Sequence, residues 1–506
     1  MKLLKNSLWS ITGWVGSFII GFISTPIFLK ALGEEKYGLM ILLYTIIAPL
    51  GLLDFGIGEA TIKYVAEGLG QNDHQRVGKY LQSSMLVNLI IGLVGSVLIL
   101  LFRKFIISLF NLSESDEHLA YAALSWISLT WFILQTQQTF TGSVVALQRY
   151  DLFNIYNFLY TLTRVGVGLI ILLSGGDLLN LISSQTIVLG IASLGWFIMT
   201  KILYQQTSLM PRFDQESFMK TLNFGSFQFM NRLGAVFTQQ SQRFILGNLL
   251  SVKSVGFYSL AEQLNSIIYL ITYHIGQVLF PAVSEMQGAK EEQRASHITI
   301  LTGWMISTIA ISIFIPFFVF TKEILVFWLG YAISNEITDL SRIISIGAAI
   351  GCLFAIPSFY LLGTGRTKWL AILSFLHGAF VILFSLILIP KIGLIGAGWA
   401  FTLGTIVHLI TLVVMWEKIF YAWISKKDYY SSIFGPYIIG FFLICIFISL
   451  KDLFQYHFRA WPQLIVAGVF LFILSAAFTV LIGMILPGGK DRKELLIALT
   501  KKLKFL

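Results

Sequence analysis

Long apolar runs separated by short polar segments follow one another from Ser7 to Leu486. A bilayer core about 30 Å thick is crossed by about 20 apolar residues in a helix, and about fourteen of the runs reach that length. Backbone groups in lipid must find their hydrogen bonds within the protein, and these runs are too long and too uniformly apolar for barrel strands. The pattern therefore predicts an all-α, polytopic membrane protein with about fourteen transmembrane helices.

We place the predicted spans at residues 7–30, 37–62, 81–102, 118–141, 152–173, 178–203, 218–249, 255–283, 297–320, 338–363, 367–389, 394–420, 430–449 and 461–486. The composition agrees, with 56% hydrophobic residues and a mean hydropathy of +0.81. The connecting segments are too short to fold as a soluble domain. We therefore expect the function to reside within the membrane.

Residue types that carry enzyme or metal chemistry are sparse. The two cysteines, Cys352 and Cys445, lie in predicted helices, and the seven histidines are scattered. We therefore expect no disulfide framework, no metal centre and no cofactor. The segment GTGRTK at 363–368 lacks the Gly-Lys-Ser/Thr of a phosphate loop. The outer loops are short and carry a single acidic cluster, typical of a solvated turn. These features argue against an enzyme.

The net charge of +10 indicates membrane topology rather than nucleic-acid binding. With the N-terminus in the cytoplasm, the cytoplasmic side receives more than twice as many lysines and arginines as the outer side. This asymmetry predicts a multi-pass protein of the cell inner (cytoplasmic) membrane with both termini in the cytoplasm. Basic residues of the tail are expected to rest on anionic lipid headgroups. They are Lys490, Arg492, Lys493, Lys501, Lys502 and Lys504.

An internal repeat appears when the chain is shifted by 218 positions, which aligns Gly38 with Gly256 and Glu67 with Glu285. The shift spans six predicted helices, and an even number restores the orientation, so the repeats would be parallel. We predict an N-terminal lobe at 1–206, a C-terminal lobe at 207–422, two appended helices at 423–489 and a basic cytoplasmic tail at 490–506. Such repeats place a solute path at the lobe interface near the midplane.

Several short segments punctuate these helices: LGEEKYGL at 32–39, LDFGIGEA at 53–60, YVAE at 64–67, VGFYSLA at 255–261, FPAVS at 280–284 and IPKIGLIGAG at 389–398. Together they resemble bacterial polysaccharide-biosynthesis flippases of the Wzx, O-antigen-translocase type. These belong to the multidrug/oligosaccharidyl-lipid/polysaccharide exporter superfamily.

The resemblance covers the whole chain, and its motifs are structural, so they specify the family better than the substrate. It implies two lobes, alternating access and export of a sugar chain carried on polyprenyl pyrophosphate. The implied partners are a lipid-linked oligosaccharide, membrane lipids and polysaccharide polymerase machinery, with no nucleic acid. The alternative is a drug or small-cation antiporter of the same superfamily.

Polar stripes run along three of the predicted helices. One stripe, on the span 152–173, contains Asn154, Asn157, Thr161, Arg164 and Gly168. A second stripe, on the span 218–249, contains Gln228, Arg232 and Gln239. The third, on the span 255–283, contains Glu262, Asn265, Tyr269, Thr272 and Gly276. A charge at the bilayer centre costs at least about 2.5–3.5 kcal/mol, so the stripes should face a watery cavity or another polar face. Hydrogen bonding between helices is the alternative explanation for the neutral residues.

Arg164 and Arg232 lie about 18 and 21 Å along their predicted helices, close to the membrane midplane. Arginine binds phosphate oxygens in a bidentate manner. We therefore expect these two residues to meet the substrate phosphates, with bonds to helix-end carbonyls as the alternative. A cation pathway would favour acidic residues at this depth, which argues against the antiporter.

Other ionisable residues have structural explanations beside functional ones. Arg243 and Glu262 have similar predicted depths and would form a structural pair or line the cavity. Asp54 and Glu59 are candidates for ion coupling or a gate, or they hold helix ends at the cytoplasmic side. The last set comprises lone histidines in separate helices, for which packing is favoured over a proton relay: His274, His377 and His408.

Overall fold

The computed structural model describes residues 2–54, 57–205, 207–277, 283, 286, 289–364, 366–420, 426–454 and 458–503. All regular elements within these ranges are helices. Their contacts divide the chain into unit 1, Met1–Gly256, and unit 2, Phe257–Leu506. The predicted all-α polytopic fold is therefore confirmed.

Nine helices begin in unit 1: α1 Lys2–Thr45, α2 Ile47–Leu50, α3 Ile57–Gly70, α4 His74–Ser108, α5 Glu114–Ala146, α6 Tyr150–Leu173, α7 Leu178–Leu203, α8 Gln215–Leu249 and α9 Val252–Gln277. A 3₁₀ turn at Gly51–Asp54 follows α2. The α9 helix continues into unit 2 after Gly256.

Unit 2 continues with α10 Glu292–Val319, α11 Thr321–Leu329, α12 Tyr331–Gly351, α13 Ala355–Gly363, α14 Thr367–Ile392, α15 Leu394–Phe420, α16 Lys426–Ile433, α17 Gly435–Phe454, α18 Trp461–Gly483 and α19 Gly489–Leu503. A 3₁₀ turn at Cys352–Phe354 separates α12 from α13.

Local sequence explains where several of these helices begin and where one of them breaks. The side chains of Asp73, Asp177 and Asp214 cap α4, α7 and α8, each accepting the backbone N–H of the third residue of its helix. In α1, Gly33 has φ +78°, a conformation that favours glycine, and it divides the helix into two parts. The break explains how one helical range contains the first predicted span and the start of the second.

Unit 1 is held together by close helix contacts and a buried polar seam. The α4 helix packs along α5, and α5 packs on α7. Asn88 of α4 donates to Thr139 Oγ1 of α5 at 2.8 Å, and Gln135 donates to Asn88 Oδ1 at 3.0 Å. All three residues are buried. Such hydrogen bonds between helices stabilise packing where water is absent.

Unit 2 is organised around α10, which contacts α12, α16, α17 and α18. Apolar side chains cover most of its circumference, as expected for a helix surrounded by other helices. Phe314 and Ile315 pack in one cluster with Leu443 of α17 and Leu464 of α18.

Ten helices among the described residues are long and apolar enough to cross a membrane. A pair at Lys427–Ile433 and Gly435–Lys451, bent by 42°, would make eleven if it forms one span. The polar α8 is not among the ten, and Val15–Leu53 is counted as one helix despite the break at Gly33. The number fourteen therefore stays a prediction.

The helix α8 belongs to unit 1 because it contacts α1, α3 and α4. The division into units is one of contacts within the chain. The predicted lobes at 1–206 and 207–422, with the appended segments at 423–489 and 490–506, stay predictions.

The chain after the last span folds back onto unit 2 at Arg492, whose side chain is fully buried. Its Nη1 donates to the Gly483 carbonyl at 2.6 Å, and its Nη2 donates to Ser431, Ser432 and the Pro487 carbonyl at 2.6–2.8 Å. The expectation that Arg492 rests on lipid headgroups is therefore wrong. The guanidinium instead satisfies carbonyls that are left without helical partners where α18 ends.

Candidate functional site

Arg164, about 21 Å along α6, is the charge around which polar groups of unit 1 are arranged. Its guanidinium carbon lies 5.9 Å from the centre of the Tyr160 ring, and it interacts electrostatically with the hydroxyls of Tyr160 and Tyr44. Its Nε is buried and has no hydrogen-bond partner among the described residues. None of the ion pairs in the described part of the chain includes Arg164.

Tyr44 connects this arginine to α7. It lies in the part of α1 beyond Gly33, and its hydroxyl donates to Gln185 Oε1 at 2.8 Å. The single hydroxyl proton is used in that bond, so the Tyr44 oxygen is left to accept from a donor such as the guanidinium. Three helices thus bring an arginine, two phenols and an amide together.

At Gly168, one turn beyond Arg164, α6 and α7 approach each other closely. This close approach makes the arrangement possible. A Cβ at Gly168 would lie 2.8 Å from Leu181 Cδ1, 3.3 Å from Phe28 Cζ and 3.4 Å from Gln185 Nε2. A larger residue would push α6 away from α7 and α1. The glycine in the predicted stripe therefore serves packing beside the arginine.

The other residues of this stripe lie on the same helix as predicted. Thr161 Oγ1 donates to the Asn157 carbonyl at 2.9 Å, the ordinary bond of a threonine to the preceding turn. Its oxygen can still accept a hydrogen bond. Both side chains are half-buried. The structure thus places Asn157, Thr161 and Arg164 on one helix, and their contact with substrate stays a prediction.

The second predicted stripe lies on α8. The side chains of Gln228, Arg232 and Gln239 lie outside the described residues, as do those of Asp54 and Glu59. Their predicted roles as substrate-binding residues and as ion-coupling or gate residues stay predictions.

Arg243, also on α8, has a second tyrosine of α1 beside it. Its Nη1 donates to Gln240 Oε1 at 3.1 Å, and it interacts electrostatically with the buried Tyr37, which is hydrogen-bonded to Thr25. Arg243 belongs to unit 1 and Glu262 to unit 2. The predicted pair between those two residues stays a prediction.

Sequence reasoning missed the tyrosines that accompany the arginines. Tyr37 and Tyr44 are seven residues apart, which is two turns and nearly one face of a helix. That spacing in an otherwise apolar helix was the available signal. The contribution of Gln185 had no comparable signal, because a single amide in an apolar helix is common.

The histidines of α14 and α15 are a correction to the sequence interpretation. The sequence predicts His377 and His408 as lone residues of separate helices, but their ring centres lie 4.7 Å apart. The side chain of His274 lies outside the described residues.

A helical protein with repeated membrane spans, short connections and a cationic polar cluster at membrane depth belongs to the class of membrane transporters. The family model described as "Polysaccharide biosynthesis protein" matches residues 3–287, more than half of the chain. The chain therefore belongs to the polysaccharide biosynthesis protein family. A second model, described as MatE, matches residues 230–387.

Known relatives agree with this assignment. The chain is 22% identical over 426 residues to the "Putative O-antigen transporter" of Shigella flexneri, covering 83% of this chain and 98% of that protein. It is 23% identical over 417 residues to the "Probable low-salt glycan biosynthesis flippase Agl15" of Haloferax volcanii, covering 81% and 83%.

A solved structure shares the fold. "Lipid II flippase MurJ, inward closed conformation" superposes with a TM-score of 0.73 at 15% identity, covering 93% of this chain and 97% of that one. The expected resemblance to flippases of this superfamily is confirmed, and so is the expected class of transporter rather than enzyme.

Proposed function

We propose that this chain is a flippase that moves a polyprenyl-pyrophosphate-linked oligosaccharide across the cytoplasmic membrane by alternating access, for the synthesis of a surface polysaccharide such as O-antigen or lipopolysaccharide. Family membership and the names of the relatives support this class of function. The proposal includes the inner membrane as location and both termini in the cytoplasm. Polysaccharide polymerase machinery remains a proposed partner.

The observation that supports the proposal most directly is the positive charge of Arg164 among neutral neighbours. Its neighbours Tyr44, Tyr160 and Gln185 are neutral, and none of the described ion pairs compensates its charge. A guanidinium at membrane depth without a carboxylate is costly to maintain. An anionic ligand would offset that cost, and a pyrophosphate fits the forked donors.

The neighbours of Arg164 fit this role. The tyrosines hold the guanidinium through its face and through hydroxyl oxygens, which leaves N–H donors available to phosphate oxygens. Asn157, two turns before Arg164, and Thr161, one turn before it, supply the amide and hydroxyl groups that recognise sugar hydroxyls or phosphate. Arg232, Gln228 and Gln239 are proposed as the matching residues of α8.

A drug or small-cation antiporter is the second candidate, and the match of residues 230–387 to the MatE model favours it. The arginine argues against it, because a cation would be repelled by an uncompensated positive charge in a medium of low dielectric. The flippase is therefore the function that the site supports better.

The proposal is tested in a strain whose surface glycan depends on this chain. Arg164→Ala combined with Arg232→Ala should abolish surface glycan while the protein still reaches the membrane, measured by immunoblot of membrane fractions. Arg103→Ala is the matched control. Arg103 also lies over a tyrosine, with its guanidinium carbon 3.8 Å from the Tyr121 ring centre, but near the end of α4. Normal glycan in the double variant would refute the site.

A further inference from the structure

Two histidines from adjacent helices of unit 2 meet inside the membrane. His377 lies about 15 Å along α14, and His408 lies about 21 Å along α15. Their ring centres are 4.7 Å apart with an interplanar angle of 33°. The Phe354 ring stacks on His408 at 3.9 Å and 9°. An ionisable pair at such depth calls for a functional explanation.

The hydrogen bonds fix the tautomer of one ring. Thr405 Oγ1 already donates its proton to the Phe401 carbonyl at 2.8 Å. Its contact with His377 Nε2 at 3.3 Å must therefore be donated by the histidine. Neutral His377 thus carries its proton on Nε2 and a lone pair on Nδ1.

His408 supplies a second nitrogen that packing does not use. Its Nδ1 is buried and has no hydrogen-bond partner among the described residues. A buried polar atom left without a partner destabilises the fold, whereas an apolar side chain of similar shape would carry no such cost. The pair therefore has basic nitrogen atoms that the static fold does not require.

Neighbouring titratable groups have partners of their own, so we assign proton binding to the two histidines. In the described part of the chain, the titratable group that acts electrostatically on His408 is His377. The thiol of Cys352, in the 3₁₀ turn before Phe354, is engaged with the Ile268 carbonyl and the Thr272 hydroxyl. On α12, Arg342 pairs with Asp339.

Other titratable groups belong to the elements around the rings, and the side chains of Glu417 and Lys418 on α15 lie outside the described residues. Tyr360 of α13 packs in the cluster with Tyr429. Lys368 and Lys391 lie in the first and last turns of α14.

We propose that His377 and His408 form a proton-binding site inside unit 2, which takes up one proton when water reaches the rings and releases it when the pair is dry again. The proton comes from water and binds a ring-nitrogen lone pair, and the second imidazole and the Phe354 face stabilise the cation. A second proton is opposed by repulsion between two imidazolium groups. On release the proton returns to water, so the cycle leaves the protein unchanged.

The site is placed to act on the conformation of unit 2. Phe354 ends the 3₁₀ turn Cys352–Phe354, which separates α12 from α13 within one apolar span. Burial disfavours the charged form of histidine, so the described conformation holds the pair neutral and protonation favours a conformation that hydrates it. Short 3₁₀ segments inside helices are frequent hinge positions. Proton binding would thus shift the equilibrium between conformations of the junction that links α12 and α13.

Proton binding is measured on the full chain in lipid nanodiscs, with ¹⁵N-labelled histidine followed by NMR from pH 8 to pH 5. We expect a titrating signal shared by His377 and His408 that disappears in His377→Gln and in His408→Phe. Glutamine places an amide N–H where His377 Nε2 donates to Thr405, and phenylalanine can still stack on Phe354, so both variants are designed to fold. His297→Gln, at an exposed position of the same unit, is the control and should leave that signal in place.

Coupling to transport rests on the proposed function and is measured separately. In proteoliposomes, a gradient of one pH unit should change the equilibrium distribution of a lipid-linked oligosaccharide by up to about tenfold if one proton moves per cycle. The two histidine variants should lose this dependence, and His297→Gln should keep it.

The outcomes distinguish the two proposals. Histidine signals that remain neutral at every pH would overturn the proton site, whatever the transport assay shows. Titration without any gradient effect on transport would overturn the coupling. A protein that binds the proton but moves no glycan would instead contradict the proposed function.

Discussion

Gly38 and Gly256 pack backbone against backbone within unit 1. A Cβ on Gly256 would lie 3.1 Å from Gly38 Cα and 3.4 Å from a ring carbon of Tyr37, and a Cβ on Gly38 would overlap the Val252 carbonyl. These are the two glycines that the shift of 218 positions aligned in the sequence. Residues at corresponding places in the proposed repeat are therefore in direct contact, which explains why both positions are glycine.

We predict that Gly38→Ala destabilises the protein, because the obstacle is backbone and cannot rotate away. Overpacking of this kind costs about 1–3 kcal/mol. Gly256→Ala should cost less, since its nearest neighbours are at 3.1–3.4 Å. Thermal unfolding in detergent measures both changes. Gly21→Ala is the control on the same helix as Gly38, because nothing lies within 4 Å of its added Cβ. Equal midpoints for all three variants would contradict the close contact.

Arg492 should be required for the docking of the C-terminal helix α19. Arg492→Ala leaves two carbonyls and two hydroxyls without their charged donor, and we expect a loss of about 3 kcal/mol in the free energy of unfolding. Arg492→Lys should recover only part of it, because a single ammonium cannot reproduce the fork. Protease sensitivity of the tail and the unfolding midpoint measure the effect.

Lys493→Ala is the matched control for Arg492, since the neighbouring lysine is exposed. The same loss in both variants would mean that the total charge of the tail is decisive, rather than the buried contacts of Arg492. Burial lowers the pKa of the Arg492 guanidinium, and the carboxylates of Asp428 and Asp491 act against that shift.

The membrane class and the helical fold could be predicted because apolar run length is a local property of the sequence. Arg164 could be chosen because a charge in an apolar helix is conspicuous. The contact between His377 and His408 could not be predicted, because it depends on how two helices are rotated about their axes. The same holds for Tyr44 and Gln185, which come from two helices far apart in the chain.

The buried position of Arg492 shows where a prediction from charge pattern fails. A run of basic residues after an apolar span is typical of a segment on lipid headgroups. Arg492, one member of that run, instead packs inside unit 2, where it binds the unpaired carbonyls at the end of α18. Charge pattern predicts the environment of a segment, but an individual side chain follows the hydrogen bonds available to it.

Topology provides a further prediction. Reporter fusions after Lys427 and after Arg459 should report opposite sides of the membrane, cytoplasmic first and then external, because α17 lies between them. The asymmetry of lysines and arginines gives the direction. Alkaline phosphatase and a cytoplasmic fluorescent reporter distinguish the sides. Two fusions on the same side would mean that the bent pair of helices 427–433 and 435–451 does not cross the membrane.

The final prediction separates charge from geometry at Arg164. If the guanidinium binds pyrophosphate, Arg164→Ala should lower transport by about 10- to 100-fold, as expected for loss of hydrogen bonds to a charged group. Arg164→Lys should retain part of the activity because the charge remains while the fork is lost. Tyr44→Phe removes the bond to Gln185 but keeps the arginine, so we expect a loss of only about fivefold. Tyr121→Phe, beside Arg103, is the control. Flipping of a labelled lipid-linked oligosaccharide in proteoliposomes measures all four variants. If Tyr44→Phe were as damaging as Arg164→Ala, and Arg164→Lys were equally inactive, the cluster would serve helix packing rather than anion binding.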